Sequence, residues 1–301
     1  MRLPALAVRA AGAALRSYVR HFPVWRGKRF LVRAFGRLTR GSRVELPGVT
    51  RFGARINCRI RDFIESRIYL FGVWEPNLTA FLRSRLSKGD VFLDIGANVG
   101  YFSLLAADLV GSAGTVVAVE ASPSTFARLE TNVAANGAAN IRLMNVAAAN
   151  VSGTARIYKG PETNAGIGSI LPTSGLPFEA EVPSVPFHDL LSDVEVARCR
   201  VVKIDVEGAE GPILENLLRN VERFPERTDF VVEISPNELG GVFGSFAGLL
   251  RAFERSGYTA YVLENDYDYC TYRSAAAVVP PALLREPTDR RQDLVFSRAG
   301  D

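Results

Sequence analysis

Cysteine is scarce in this sequence. Its three cysteines, Cys58, Cys199 and Cys270, lie far apart among 301 residues, and none forms a C-x-x-C pair. This spacing argues against a zinc site and against a disulfide framework, and it is typical of a protein from a reducing compartment. We therefore expect a cytoplasmic location.

Long apolar runs are also missing. No stretch approaches the roughly 20 residues that a membrane-spanning helix needs. Residues 1–14 begin like a signal peptide, but Arg9, Arg16 and Arg20 interrupt the apolar stretch. The sequence thus predicts neither a spanning helix nor a secretory leader.

Acidic residues are almost absent from the first part of the chain. Residues 1–61 hold 15 Lys and Arg but a single acid, Glu45, so this part carries +14 and the remainder of the chain carries −10. Only four of the 36 cations are Lys, and such an Arg-rich skew is more typical of a GC-rich genome than of a nucleic-acid ligand. We predict a basic N-terminal extension at residues 1–54 and an acidic domain at residues 55–301.

The start of the extension has the pattern of an amphipathic helix. Residues 5–20 space four aliphatic side chains among arginines at helical intervals: Leu6, Val8, Leu15 and Val19. Such a helix either packs locally on the protein or contacts an anionic membrane through residues 1–40. Binding of nucleic acid is the least favoured of the three interpretations.

Beyond residue 76, strand-like and helical patterns alternate. We predict strands at 91–95, 115–120, 141–146, 201–205, 230–234, 259–263 and 293–297, and helices at 99–109, 123–136, 212–223 and 246–256. Short apolar strands separated by helices are typical of an α/β fold with a doubly wound, Rossmann-like and mostly parallel sheet. A Gly- and Pro-rich insertion at 154–186 is expected to form a lid or substrate loop.

A glycine-rich turn follows the first predicted strand. Asp94, Gly96, Asn98 and Gly100 lie between this strand and the next helix, at the sheet edge where open α/β folds bind ligands. The glycines do not form the G-x-G-x-x-G pattern of a dinucleotide site. Because an acid precedes them, the turn better suits a cationic ligand such as the amino group and sulfonium of S-adenosylmethionine (SAM).

The ends of the next two strands extend this site. Glu120 lies 20 residues beyond Gly100, where an acid binds ribose hydroxyls in nucleoside-binding folds. Ala121, Val146 and Ala147 are small or apolar and suit the sides of an adenine ring. Packing alone is the alternative interpretation of each.

Several motifs resemble the FkbM family of SAM-dependent methyltransferases. The resemblance rests on the strings DIGANVGYFS at 94–103 and KIDVEGAE at 203–210, supported by GVWEP at 72–76 and NAGIGS at 164–169. It covers residues 56–297 and implies SAM as cofactor, with Glu75 approaching the pocket from the N-terminal side. It also implies O-methylation of a sugar, polyketide or related natural product.

Three ionisable residues of the second motif are the candidates for catalysis. Lys203, Asp205 and Glu207 share one face of a strand because side chains at i, i+2 and i+4 point the same way. A hydroxyl is a poor nucleophile until its proton is removed, so a base is expected. Asp205 is the first candidate for base or acceptor orienter and Glu207 the second, with Lys203 lowering the hydroxyl pKa or holding the carboxylates.

The same residues have alternative interpretations. Lys203 could form a purely structural ion pair with Asp205 or with Glu233, the residue near the end of the following strand. His188 is more often a capping or packing residue than a catalyst, and a Mg²⁺ site among the carboxylates is not favoured.

Two further functions compete with methylation of a small-molecule or glycan hydroxyl. One is 2′-O-methylation of nucleic acid, which the basic extension favours and the acidic domain disfavours. The other is a non-catalytic protein of the same fold that is tethered to a membrane surface.

Overall fold

The computed structural model describes residues 4–22, 27–161, 163, 175–206, 208–235, 239–265, 267, 272, 278–286 and 290–298. The helices are α1 (Ala5–His21), α2 (Lys28–Thr39), α3 (Phe63–Phe71), α4 (Pro76–Arg85), α5 (Tyr101–Val110), α6 (Pro123–Asn136), α7 (Asp193–Val196), α8 (Glu210–Arg219) and α9 (Phe246–Arg255). The strands are β1 (Glu45–Val49), β2 (Arg55–Arg59), β3 (Val91–Ile95), β4 (Thr115–Val119), β5 (Ile141–Met144), β6 (Ala147–Ala149), β7 (Gly153–Tyr158), β8 (Phe178–Pro186), β9 (Cys199–Ile204), β10 (Asp229–Ile234), β11 (Thr259–Leu263), β12 (Ala282–Leu283) and β13 (Gln292–Ser297).

The central sheet has eight strands in the order β12-β11-β13-β10-β9-β3-β4-β5. The strands from β10 to β5 in this order pair in parallel, whereas β13 runs antiparallel to both β10 and β11. The chain enters at β3, builds outward to β5 and then returns to β9 on the other side of β3. This confirms the predicted doubly wound, mostly parallel sheet, and the reversal opens a crevice at the carboxyl ends of β3 and β9.

Both faces of the sheet are covered, which explains its continuous apolar strands. One face packs against α4, α5 and the N-terminal elements through Phe92, Val116 and Val201, and the other packs against α8 and α9 through Leu93, Val117 and Val202. All six side chains are 0% exposed.

Capping residues set both ends of α6. Ser122 caps α6 by accepting the Thr125 N–H, Pro123 occupies its first position, and Gly137 ends it at a φ of 62°. The predicted helix 212–223 instead starts at Glu210 and ends at Arg219, and a 3-10 turn follows at Val221–Arg223.

The predicted insertion begins and ends in ordered strands. Strand β8 pairs with β6 and β7 in a separate three-stranded sheet around Ala147, Ile157 and Val182. Residues 164–174, which include the NAGIGS string, lie outside the described residues.

Residues of the basic extension pack on the rest of the protein. Val8 and Val19 of α1 belong to the main hydrophobic core. Arg20 donates to the backbone carbonyls of Tyr69 and Leu70 at 2.9 and 3.0 Å. Within the described ranges, no helix has both the length and the apolarity to cross a bilayer.

Candidate functional site

A cavity of about 630 Å³ lies at the carboxyl edge of the sheet. Its described walls come from the ends of β3, β4, β9 and β10, from the first residues of β13, and from the segment around Trp74. This volume is in the range of small-molecule sites, and the position is the switch point of the fold.

The turn after β3 forms one wall of this cavity. Asn98 adopts a left-handed backbone with a φ of 51°, and Gly96 has a φ of 81°. A Cβ on Gly96 would lie 1.9 Å from the backbone oxygen of Asp205, so the close approach that demands glycine is made by the protein's own backbone. Gly100 does not line the cavity, because it starts α5 and packs under Leu129.

Glu120 follows β4 and stands across from this turn. Its two carboxylate oxygens accept the N–H groups of Asn98 and Ser122, each at 2.9 Å. Burial raises the pKa of Glu120 to about 7, although these two N–H groups oppose the shift. The carboxylate is therefore fixed in orientation and keeps acceptor capacity toward the cavity.

The small apolar residues near Glu120 are divided between two environments. Ala121 and Val146 line the cavity, whereas Ala147 belongs to the core of the three-stranded sheet and its neighbour Ala148 lines the cavity instead. The chain leaves β5 here because the Asn145 amide donates to the backbone oxygens of Glu120 and Ala121.

Asp94 lies behind the cavity wall. Its side chain is fully buried, accepts the Ser103 hydroxyl at 2.5 Å, and has its other oxygen 3.7 Å from the ammonium nitrogen of Lys203. Burial raises the pKa of Asp94, while Lys203 and Ser103 oppose that rise. Asp94 is thus an ion-pair partner of Lys203 and does not line the cavity. The predicted direct contact between Asp94 and a cationic ligand is not what the structure shows.

Lys203 projects from β9 into this buried region. It is 3% exposed, and its ammonium group lies 2.9 Å from Asp205 and over the ring of Phe102. Burial alone would lower the pKa of Lys203, but Asp205 and Asp94 outweigh that effect and raise it. Lys203 is therefore a permanent cation that holds two carboxylates.

Asp205 and Glu233 form the next part of the wall. Burial favours protonation of both, but Lys203 reverses the effect at Asp205 and lowers its pKa. Burial and the neighbouring Asp205 raise the pKa of Glu233 to about 11, although Arg291 also contacts Glu233. Lys203 thus favours the ionised form of Asp205, whereas burial beside Asp205 favours the protonated form of Glu233.

Glu75 reaches the same cavity from the segment before α4. It has a φ of 40° and is 6% exposed, and it accepts the hydroxyl of Tyr267 at 3.0 Å. Tyr267 in turn stacks on Trp74, with ring centroids 5.3 Å apart. Burial, followed by the repulsion of Asp293 and Asp205, raises the pKa of Glu75 well above its usual range.

Two alternatives that the sequence analysis disfavoured can be compared with the structure, and one predicted catalytic residue cannot. Glu207 lies outside the described residues. His188 does not line the cavity, and its ring contacts Asn216 at 2.9 Å. Among the described residues, no three His, Cys, Asp or Glu side chains form a group suited to a metal ion.

The sequence reasoning missed the contribution of the C-terminal strand. Asn265, Arg291 and Asp293 line the cavity, and the Asn265 amide donates to Asp293 at 2.7 Å. Burial raises the pKa of Asp293 to about 6. One feature of the sequence could have indicated this contribution: no helix is predicted between β11 and β13. Parallel strands need a crossover connection, so the last strand is expected to run antiparallel. The first residues of an antiparallel strand lie at the same sheet edge as the carboxyl ends of the parallel strands, which is the edge that holds the cavity.

The strand order and the site at its switch point define the class I fold of SAM-dependent methyltransferases. The model of the methyltransferase FkbM domain matches residues 94–260, more than half of the chain. The chain therefore belongs to the FkbM methyltransferase family.

Solved structures with a similar fold share little sequence with this chain. An FkbM methyltransferase from Methylobacillus flagellatus KT is 13% identical with a TM-score of 0.45, over 90% of this chain and 60% of that one. A precorrin-6y C5,15-methyltransferase from Geobacter metallireducens GS-15 is 17% identical with a TM-score of 0.41, over 74% and 87%. A SAM-dependent O-methyltransferase from Thermotoga maritima is 14% identical with a TM-score of 0.41, over 83% and 76%. A search of curated proteins finds no match.

Proposed function

We propose that this protein is a SAM-dependent O-methyltransferase that acts on a hydroxyl of a sugar, glycolipid or other natural product. The observation that carries the proposal is the position of Asp205, whose carboxylate lies 2.9 Å from the ammonium nitrogen of Lys203, on the wall of a cavity that also contains the oriented carboxylate of Glu120.

The cavity residues fit SAM by their chemistry. Glu120 accepts the ribose hydroxyls, the turn at Gly96 and Asn98 presents backbone to the nucleoside, and Ala121 and Val146 flank the adenine. SAM, when bound, supplies a methyl group on a positively charged sulfur. The residues of this chain therefore only have to position the acceptor oxygen and take its proton.

Asp205 is the carboxylate best suited to accept that proton. Burial and neighbouring carboxylates raise the pKa of both Glu233 and Glu75, whereas Lys203 lowers the pKa of Asp205. Lys203 keeps Asp205 ionised and compensates the charge as the acceptor loses its proton. Glu207, two residues beyond Asp205, stays the second candidate.

The charge of the cavity favours a neutral or cationic acceptor. Six carboxylates but only two cations, Lys203 and Arg291, occur among its described lining residues. A phosphodiester would meet repulsion there, because nucleic-acid sites neutralise phosphates with Lys and Arg. We therefore favour a polyol or glycan over nucleic acid.

The test separates cofactor binding from transfer. Calorimetry with purified protein is expected to show SAM binding, and labelled SAM is expected to methylate the glycan or lipid fraction of a host extract but not its nucleic acid. Heat-denatured protein serves as control. Absence of SAM binding by folded protein contradicts the proposal, whereas binding without transfer to any fraction supports the non-catalytic alternative.

A further inference from the structure

Helix α2 leaves most of its surface uncovered by the rest of the protein. Its buried side is narrow and consists of Lys28, Val32, Phe35 and Thr39. The buried ammonium group of Lys28 donates to the Val19 carbonyl at 2.9 Å, which fixes α2 against the end of α1. The outward side of α2 is therefore held in a defined orientation.

One half of this outward side is apolar. Phe30, Leu31 and Leu38 are 72%, 43% and 62% exposed. Leu38 lies seven residues beyond Leu31 and eight beyond Phe30, and with 3.6 residues per turn all three lie on one flank of the helix. Such a stripe of large exposed apolar side chains on a surface helix favours an apolar partner.

The other half of the outward side is basic. Exposed arginines recur at Arg29, Arg33 and Arg37, four residues apart, and Arg40 continues the row. The sequence has no acidic residue before Glu45. The positive charge of this flank is thus not offset by acids of the same segment.

We propose that this face of α2, formed by Phe30, Leu31, Leu38 and the four arginines, binds an anionic membrane surface. The apolar flank enters the boundary between headgroups and acyl chains, and the arginines reach the lipid phosphates beside it. Phosphates of nucleic acid would satisfy the arginines but leave the apolar flank exposed to water, so a lipid surface fits both flanks.

The proposed membrane contact lies on α2 and not on the amphipathic helix that the sequence predicted at residues 5–20. Helix α1 directs Val8, Leu15 and Val19 into the protein, so of the four aliphatic side chains of the predicted apolar face only Leu6 is exposed. The contact therefore lies on α2 and leaves the cavity and its residues uninvolved.

Flotation with vesicles tests the proposal on the full chain. Wild-type protein is expected to float with phosphatidylcholine vesicles that contain phosphatidylglycerol, and to stay behind with phosphatidylcholine alone. Arg33→Gln combined with Arg37→Gln should weaken binding by roughly 30-fold, since each surface cation contributes a factor of about five. Phe30→Ser combined with Leu38→Ser should weaken it by at least about tenfold.

Matched variants elsewhere on the surface complete the design. Arg156→Gln with Arg219→Gln removes two exposed arginines outside α2, and Val151→Ser with Val194→Ser removes two exposed apolar side chains; both double variants should leave flotation unchanged. Circular dichroism verifies that every variant is folded. Three results overturn the proposal: no flotation of wild type, equal loss in the matched variants, or salt-sensitive RNA binding in place of vesicle binding.

Discussion

The ammonium nitrogen of Lys203 lies 2.9 Å from Oδ2 of Asp205, and the Lys203 side chain is only 3% exposed. A buried cation is costly unless carboxylates surround it, and here Asp94 is the second partner at 3.7 Å. The pair joins the core to the cavity, because Asp94 lies behind the wall and Asp205 lies on it. One charge network therefore connects the buried part of β3 and β9 with the wall of the cavity.

Replacing Asp205 by Asn should separate these roles. The amide keeps the shape of the side chain but cannot accept the acceptor proton, so kcat should fall by about 10²- to 10⁴-fold. SAM affinity should stay within about threefold of wild type, since the interaction lost is one made in the transition state. Asp108→Asn, an exposed change on α5, is the control, and unchanged kcat in the Asp205 variant would remove this residue from the mechanism.

Replacing Lys203 by Met should change the pH dependence of both stability and activity. Lys203 lowers the pKa of Asp205, so without it that pKa rises and the acid limb of kcat/KM moves up by about one unit or more. The variant should lose about 3–5 kcal/mol of stability at neutral pH, because the buried Asp94 and the partly buried Asp205 both lose their cation.

The sign of the stability effect distinguishes this explanation from a simple packing defect. In wild type, the depressed pKa of Asp205 contributes stability that is lost as pH falls. In the variant, protonation of the two carboxylates relieves the repulsion, so urea midpoints should approach the wild-type value as pH falls. A loss of stability that is constant with pH would argue for packing instead.

Glu120 should make SAM binding depend on pH near neutrality. Its pKa of about 7 means that the free carboxylate ionises in this range, and the ionised form accepts ribose hydroxyls best. Affinity measured by calorimetry should therefore increase as pH rises through about 7. The Glu120→Gln variant should bind more weakly, by roughly tenfold, and show no such pH dependence, whereas Glu179→Gln, which removes a carboxylate beside α6, should keep it.

The sequence predicted most strands of the central sheet, because their positions follow from local apolar runs and turn residues. The bounds of the seven predicted strands differ by no more than two residues from those of the structure, because each is a short apolar run bounded by turn residues, whereas strands β1, β2, β6, β7, β8 and β12 were not among the predicted strands. It could not show that Asp94 faces Lys203 rather than the cavity, since the pairing arises when β3 and β9 meet and these two residues are 109 positions apart in the sequence. Asp293 was missed for a similar reason, because its place at the functional edge follows from the direction of β13.

Gly96 shows how the structure sharpens a sequence-based role. A Cβ at this position would overlap the Asp205 carbonyl at 1.9 Å, and the φ of 81° is unfavourable for alanine. Gly96→Ala should therefore cost about 2 kcal/mol or more in urea unfolding. Gly36→Ala in α2, where nothing lies within 4 Å of the new Cβ, should instead be neutral or stabilising by up to about 1 kcal/mol. Equal stability of the two variants would contradict the close contact between Gly96 and Asp205.

The proposed boundary at residue 54 can be tested through the packing of α1. The boundary falls in the turn of the β1–β2 hairpin, whose strands pair from Glu45 with Arg59 to Val49 with Arg55. Leu15→Ala in α1 removes a 9% exposed side chain from the core and should cost about 2–4 kcal/mol. Leu6→Ala, at a position that is 79% exposed, should cost less than about 0.5 kcal/mol. If residues 1–54 are instead independent of the methyltransferase domain, the Leu15 variant and a chain that begins at residue 55 will unfold at the wild-type urea concentration.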